Sequence, residues 1–85
     1  MFYVYVLRCS DGSLYTGYTN DIEKRIAMHN SGKASRYTRS RLPVETIARW
    51  VCKTKSEAMA AERMFKCLTR DEKLRRIREE NTAFE

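Results

Sequence analysis

The chain has 85 residues, with 17 Lys and Arg against 11 Asp and Glu, which leaves a formal net charge of +6. This length fits one domain, residues 1–85, with a thin core, because so short a chain buries only about 60–65% of its unfolded surface. A groove is therefore expected rather than a deep pocket. The positive charge favours an anionic partner, with nucleic acid ahead of a membrane surface, although a basic surface that only aids solubility has the same composition.

The cysteines and the N-terminus favour a cytoplasmic protein. Cys9, Cys52 and Cys67 are widely spaced, and the chain has a single histidine. This pattern argues against both a disulfide framework and a zinc site, so we expect buried, reduced thiols. The N-terminus has no charged segment or cleavage site, and its apolar run is too short to span a bilayer. No membrane association is expected.

Two β-like runs near the N-terminus predict a hairpin. Residues 2–8 and 14–18 are rich in aromatic and β-branched side chains, and the Asp-Gly pair between them is a strong turn signal. The hairpin should place Tyr5 and Tyr15 on neighbouring strands. Tyrosine is also a favoured strand residue, so the two phenols could serve packing alone. They are equally what a site built on this sheet would need.

The middle of the chain predicts a helix, a loop and a third strand. The helix covers about residues 21–30, with Asn20 as its N-cap. A loop follows over residues 31–43. Residues 44–51 alternate between apolar and polar side chains, which is typical of a half-buried strand.

The C-terminal part predicts two more helices. Capping-box patterns at Thr54 and Thr69 should open helices that run to about residues 68 and 79. The element order is then β-β-α-β-α-α. We therefore predict an α+β fold, with a three-stranded antiparallel sheet flanked by helices.

Arg25 and His29 lie one turn apart on the first predicted helix and share a face. An arginine fork can bind two phosphate oxygens and offset the charge that builds during phosphoryl transfer. A histidine beside it can move a proton or bind the phosphate. The alternative is a solvated helix face on which a charged His29 interacts with the helix C-terminus. Without the two tyrosines, that alternative would be preferred.

Glu62 lies within the apolar stripe of the second long helix, so helical periodicity turns it toward the sheet or its rim. A carboxylate there needs a partner, because an unpaired buried charge is very costly. One carboxylate together with water and phosphate oxygens is a normal way to hold Mg²⁺. The alternative is an ion pair with Arg63, Lys66 or Arg25, and position alone favours the ion pair.

The segment from Ser31 to Arg41 has four basic residues, no acidic residue, and hydroxyl side chains on both sides of a tyrosine. This pattern fits contacts with phosphates, which position a nucleic acid without reading its sequence. A solvated basic loop is the alternative. Because the segment follows Arg25 and His29, we favour DNA binding. The predicted DNA-binding residues are Lys33, Arg36, Tyr37, Arg39 and Arg41.

These residues together resemble the GIY-YIG endonuclease superfamily, most closely its small stand-alone bacterial members. Tyr3-Val4-Tyr5 stands where the family has Gly-Ile-Tyr, and Tyr15-Thr16-Gly17 stands where it has Tyr-Ile-Gly. Arg25 and His29 fall on the arginine of the first helix and on the histidine or tyrosine that follows it. Glu62 falls on the metal-binding glutamate. The order and spacing agree over essentially the whole chain.

The resemblance implies metal-dependent hydrolysis of DNA phosphodiester bonds, with damaged or branched DNA as candidate substrates. Tyr5 would be the general base that activates water, and Glu62 would hold Mg²⁺ or Mn²⁺. Arg25 would stabilise the charge of the transition state, while Tyr15 and His29 would orient the water or the phosphate. A phenol is a poor base at its ordinary pKa of about 10. We therefore expect the neighbouring cation, Arg25, to assist Tyr5.

Two other functions remain open at this point. One is a non-catalytic nucleic-acid-binding module on the same scaffold. The other is a catalytic subunit that depends on a partner protein for targeting, which the lack of a separate targeting domain in these residues favours. The presence of all five candidate catalytic residues favours the enzyme over the binding module. The sequence indicates no oligomeric state.

Overall fold

A computed structural model describes the backbone of residues 1–83 and the side chains of residues 1–79. The predicted α+β class and element order are confirmed, with one short extra helix inside the predicted loop. The strands are β1 (Phe2–Arg8), β2 (Leu14–Thr19) and β3 (Glu45–Cys52). The helices are α1 (Ile22–Asn30), α2 (Arg36–Arg39), α3 (Lys55–Lys66) and α4 (Arg70–Ala83).

The sheet is antiparallel and three-stranded, with the order β2-β1-β3. β1 and β2 form the predicted hairpin, in which Tyr5 pairs with Gly17 and Leu7 pairs with Tyr15. Residues that pair directly across two strands project from the same face, and so do alternate residues of one strand. Tyr5 and Tyr15 therefore project from one face of the sheet, as neighbours on adjacent strands.

Helices cover both faces of the sheet. On the face that carries Tyr5, the buried cluster includes Leu7 together with Ile22 of α1. On the opposite face, Val6 packs with Phe65 of α3 and Ile77 of α4. The polar residues of the candidate site lie at the rim of the sheet, close to α1 and α3.

Local details of α1 and α2 differ from the prediction. The N-cap of α1 is Asp21 rather than Asn20, and the Asp21 side chain accepts a hydrogen bond from the backbone N–H of Lys24. The hydroxyl of Thr19 accepts a hydrogen bond from the backbone N–H of Asp21. The N-cap of the helix therefore lies one residue later than predicted. Helix α2 has four residues, too few for a periodic pattern, and its N-cap is Ser35.

The expected burial of the thiols is correct for only one residue. All three cysteines are free, but Cys9 alone is buried, Cys52 is half-buried and Cys67 is exposed. No helix within residues 1–83 has the length and apolar character needed to cross a membrane.

Candidate active site

A cleft of about 560 Å³ lies between the β1–β2 hairpin and the helices α1 and α3. Four of the five candidate catalytic residues line it, namely Tyr5, Tyr15, Arg25 and Glu62. His29 is buried beside the cleft and contacts both phenol rings, with ring centroids 5.8 Å from Tyr5 and 5.1 Å from Tyr15. Two strands and two helices thus bring all five side chains to one place.

Tyr5 lies at the base of this cleft and is only 2% exposed. Its hydroxyl oxygen forms a hydrogen bond, 2.9 Å long, with Nε2 of His29. Burial raises the pKa of Tyr5 far above the ordinary phenol value, and Tyr15 and Glu62 raise it further. Arg25 lowers this pKa, but the other effects outweigh it. Arg25 thus acts on Tyr5 in the expected direction, but burial dominates, so the pKa of Tyr5 in the free protein stays above the ordinary phenol value.

Gly17 explains how the Tyr5 ring fits against β2. A Cβ atom at Gly17 would lie 2.6 Å from the Tyr5 hydroxyl oxygen and 2.8 Å from Cζ of the ring. The phenol therefore occupies the space that a side chain at position 17 would need. This contact gives a physical reason for glycine at the end of the Tyr15-Thr16-Gly17 triplet.

His29 has a hydrogen-bond partner on each ring nitrogen. Nδ1 lies 2.8 Å from the hydroxyl oxygen of Thr38, on the side of the ring away from Tyr5. Burial lowers the pKa of His29, and the positive charge of Arg25 lowers it further. The alternative of a solvated, charged histidine is therefore wrong. Sequence reasoning missed Thr38, because it lies in the predicted loop and no local pattern connects it to His29.

Glu62 is half-buried at the cleft, with 17% of its side chain exposed. Its Oε1 atom lies 2.6 Å from Nζ of Lys66, so one of the expected ion pairs is present. Glu62 is the only carboxylate that lines the cleft among the described side chains. Among the side chains of residues 1–79, no group of three or more His, Cys, Asp or Glu could hold a metal ion. A single carboxylate in an open polar cleft fits Mg²⁺, which takes most of its ligands from water and phosphate.

Lys55 is a second cation that lines the cleft, in addition to Arg25. It lies in the first turn of α3, seven residues before Glu62. That spacing is two helical turns, so Lys55 and Glu62 share a face. Sequence reasoning did not single out Lys55, although this spacing could have identified it.

The predicted DNA-binding residues fall into two groups. Lys33, Arg36 and Arg39 line a shallow surface around the start of α2. Arg41, in contrast, is held by the rest of the protein: its Nε donates to Asp11, and one terminal nitrogen donates to the carbonyl oxygen of Tyr37. Arg41 is therefore not available to a phosphate in the way the other three cations are.

Tyr37 connects this basic segment to the candidate catalytic residues. Its ring stacks on that of Tyr15, with centroids 6.0 Å apart and planes at 27°. The Arg41 guanidinium carbon lies 4.0 Å from the centre of the Tyr37 ring. Ring contacts with Arg41 and Tyr15 suit Tyr37 better to positioning Tyr15 than to stacking on a base.

Comparisons with known proteins agree with this geometry. The sequence profile described as the GIY-YIG catalytic domain matches residues 1–75, which include all five candidate catalytic residues. The match assigns the fold to the nuclease type. The chain belongs to the GIY-YIG family.

Its relatives include small bacterial proteins. A UPF0213 protein of Streptococcus agalactiae serotype V is 52% identical over 77 residues, covering 91% of this chain and 88% of that protein. A UPF0213 protein of Bacillus licheniformis is 57% identical over 77 residues, covering 91% and 79%. The solution NMR structure of a UPF0213 protein from Bacillus halodurans is 47% identical, with a TM-score of 0.59, covering 91% and 83%. That of protein EF2693 from E. faecalis is 44% identical, with a TM-score of 0.63, covering 98% and 86%.

Proposed function

We propose that this protein is a metal-dependent endonuclease that hydrolyses DNA phosphodiester bonds. The observation that carries the proposal is the cleft in which Tyr5, Tyr15, Arg25 and Glu62 meet, with His29 bonded to Tyr5. A base, a cation and a carboxylate around one open cleft match what phosphoryl transfer needs. Membership of the GIY-YIG family supports the same chemistry.

The cations of the cleft bind the phosphate in this proposal. Arg25 presents a planar fork to two phosphate oxygens, and Lys55 adds a second positive charge from the opposite helix. The surface at Lys33, Arg36 and Arg39 contacts the DNA backbone further along. Because phosphate contacts carry no sequence information, substrate choice comes from DNA structure. We propose damaged or branched DNA as the substrate class; selection by a separate targeting protein is the alternative.

Tyr5 and His29 activate the attacking water together. A free phenolate is not available at neutral pH, since burial keeps the proton on Tyr5. The phenol oxygen therefore takes a proton from water as its own proton passes to Nε2 of His29, 2.9 Å away. The imidazole of His29 is neutral, since burial and Arg25 lower its pKa, and Nε2 is the atom that accepts the proton. Tyr15, whose ring packs against His29, orients the water or the phosphate.

Glu62 is the residue that would hold Mg²⁺ or Mn²⁺ in the cleft. The bound ion would supply Lewis-acid stabilisation of the phosphate oxygens. The ion pair with Lys66 is a partly exposed i,i+4 pair. Such pairs are worth only about 0.3–0.5 kcal/mol, so this one offers little resistance to a cation at Glu62.

The test is a cleavage assay under single-turnover conditions on duplex, nicked, flapped and four-way DNA, with Mg²⁺ or Mn²⁺. The variants are Tyr5→Phe, Arg25→Lys and Glu62→Gln, each of which should slow cutting at least 100-fold, within the range of general-base and charge effects (about 10²–10⁴). The matched controls make the same chemical changes outside the cleft and should cut normally. They are Tyr3→Phe, Arg63→Lys and Glu23→Gln.

The assay also separates the enzyme from a binding module. Wild-type protein that binds the panel but cuts none of it with either metal would contradict the proposal. If the three cleft variants then bind DNA as well as wild type, the non-catalytic binding module becomes the function of this scaffold.

A further inference from the structure

Thr38 is fully buried, although it lies in a four-residue surface helix between basic residues. Its hydroxyl oxygen lies 2.8 Å from Nδ1 of His29. The same oxygen lies 3.4 Å from the backbone carbonyl oxygen of Ser35. Thr38 does not line the cleft, but it contacts His29 and can act on the chemistry through the imidazole ring.

The two contacts of Thr38 indicate which atom donates and which accepts in each hydrogen bond. The Ser35 carbonyl oxygen carries no proton, so in that contact the Thr38 hydroxyl must be the donor. A hydroxyl that donates its one proton to a carbonyl accepts through its lone pairs. In that arrangement the proton between Thr38 and His29 would belong to Nδ1, and Nε2 would face Tyr5 with a free lone pair.

We propose that Thr38 is a positioning residue that fixes the Nδ1–H tautomer of His29, so that Nε2 can receive the proton of Tyr5. In the other tautomer, an N–H group would point at the Tyr5 oxygen and no acceptor would remain for the phenol proton. The partner of one ring nitrogen sets the protonation of the other, as it does in metal sites and catalytic triads. The catalytic consequence rests on the proposed nuclease function, whereas the tautomer is a property of the free protein.

A threonine suits this position better than a carboxylate. A carboxylate beside Nδ1 would raise the pKa of the imidazole, so a larger fraction of the ring would already be charged in the free protein. The hydroxyl orients the ring without adding a charge. The groups that face His29 from the surrounding elements are Tyr5, Tyr15, Thr38 and the Arg25 cation, and they favour the neutral ring.

The tautomer can be measured directly, because His29 is the single histidine of the chain. Two-bond ¹H–¹⁵N correlation spectra of ¹⁵N-labelled protein at neutral pH distinguish a protonated from an unprotonated ring nitrogen. For wild type we expect a protonated Nδ1 and an unprotonated Nε2. Thr38→Val keeps the shape of the side chain but removes the acceptor, so it should shift the population toward Nε2–H. Thr38→Ser should keep the wild-type pattern, and so should the exposed control Thr46→Val.

Activity gives a second, separate readout. Thr38→Val should lower the single-turnover rate by about 10- to 100-fold, a part of the 10²–10⁴ that acid–base catalysis contributes. Its affinity for DNA should not change, and Thr38→Ser should recover most of the rate.

A wild-type spectrum with the proton on Nε2 would overturn the proposal, even if Thr38→Val fails to fold. So would a folded Thr38→Val protein with unchanged tautomer. If wild type cuts no DNA, the spectra still decide the tautomer, and only the nuclease function fails.

Discussion

The ring of Tyr5 lies against the backbone of Gly17 so closely that a Cβ atom there would be 2.6 Å from the phenol oxygen. Real Cβ atoms do not approach other atoms so closely, so any side chain at Gly17 must displace the ring. The displaced ring would lose its hydrogen bond with His29, which is 2.9 Å long and buried. The glycine is therefore part of the geometry of the candidate active site, although it contributes no chemical group.

Replacing Gly17 by Ala should destabilise the protein and disturb His29. Overpacking of this kind costs about 1–3 kcal/mol, measured as the free energy of unfolding in urea. The ¹⁵N signals of the His29 ring should also move, because Tyr5 can no longer bond to Nε2. In a Tyr5→Leu background, the clash is relieved and Gly17→Ala should cost clearly less. An equal cost in both backgrounds would show that Tyr5 is not the group that requires glycine.

Mn²⁺ should bind in the cleft through Glu62. The paramagnetic ion should broaden the NMR signals of cleft residues such as Gly17 and Asn20 at lower concentrations than those of α4. Glu62→Gln should remove this selective broadening, because the amide keeps the shape but loses the negative charge. Lys66→Gln frees Glu62 from its ion pair and should lower the Mn²⁺ concentration needed, by about twofold for a pair worth 0.3–0.5 kcal/mol. Broadening that survives in Glu62→Gln would place the metal on other ligands.

DNA binding should depend on salt through Lys33, Arg36 and Arg39. Contacts with phosphates release counterions, so the logarithm of the binding constant falls as the logarithm of the salt concentration rises. Changing the three residues to Gln should reduce this slope by about 2–3, since each lost phosphate contact removes about 0.7–0.9. Fluorescence anisotropy at several salt concentrations measures it. Arg41 is left unchanged because it is bonded to Asp11 and Tyr37.

The control for this experiment removes three positive charges from helices α3 and α4. Arg63, Arg75 and Arg76 are exposed on α3 and α4, so changing them to Gln gives the same net charge as the test variant. This control should keep most of the wild-type slope. Equal slopes for the two triple variants would show that overall charge, rather than the α2 surface, determines DNA binding.

Local sequence patterns predicted the strands and long helices, because each depends on nearby residues. The alternation and the Asp-Gly turn define the hairpin, and the threonines at the start of α3 and α4 form the predicted caps. The hydroxyl of Thr69, for example, accepts from the N–H of Glu72, whose carboxylate accepts from the N–H of Thr69. Such pairs lie within four residues and can be recognised from the sequence alone.

The burial and the hydrogen-bond partners of the site residues could not be predicted in the same way, because they depend on contacts between distant parts of the chain. His29 is buried because Tyr5, 24 residues earlier, and Thr38, in another helix, close around it. Arg41 is held by Asp11, which lies 30 residues away in the hairpin turn. A charge count cannot distinguish such a bonded cation from a free one.

The stability of the protein should fall as the pH is lowered below about 6.5, through His29. Unfolded histidine titrates with a pKa of about 6.5, whereas burial and Arg25 lower the pKa of His29 in the folded protein. Between these two values the unfolded state binds more protons than the native state, so acidification favours unfolding. Above the unfolded pKa both states are neutral at this residue, and its contribution to stability is complete. Urea unfolding across about pH 5.5–7.5 measures the slope.

The control variant is His29→Gln, which cannot take up the proton and should therefore flatten this part of the curve. It should also lower stability overall, since one glutamine amide cannot reproduce both ring contacts. Stability that rises on acidification in wild type, or an unchanged slope in His29→Gln, would mean that the pKa of His29 is not lowered in the folded protein.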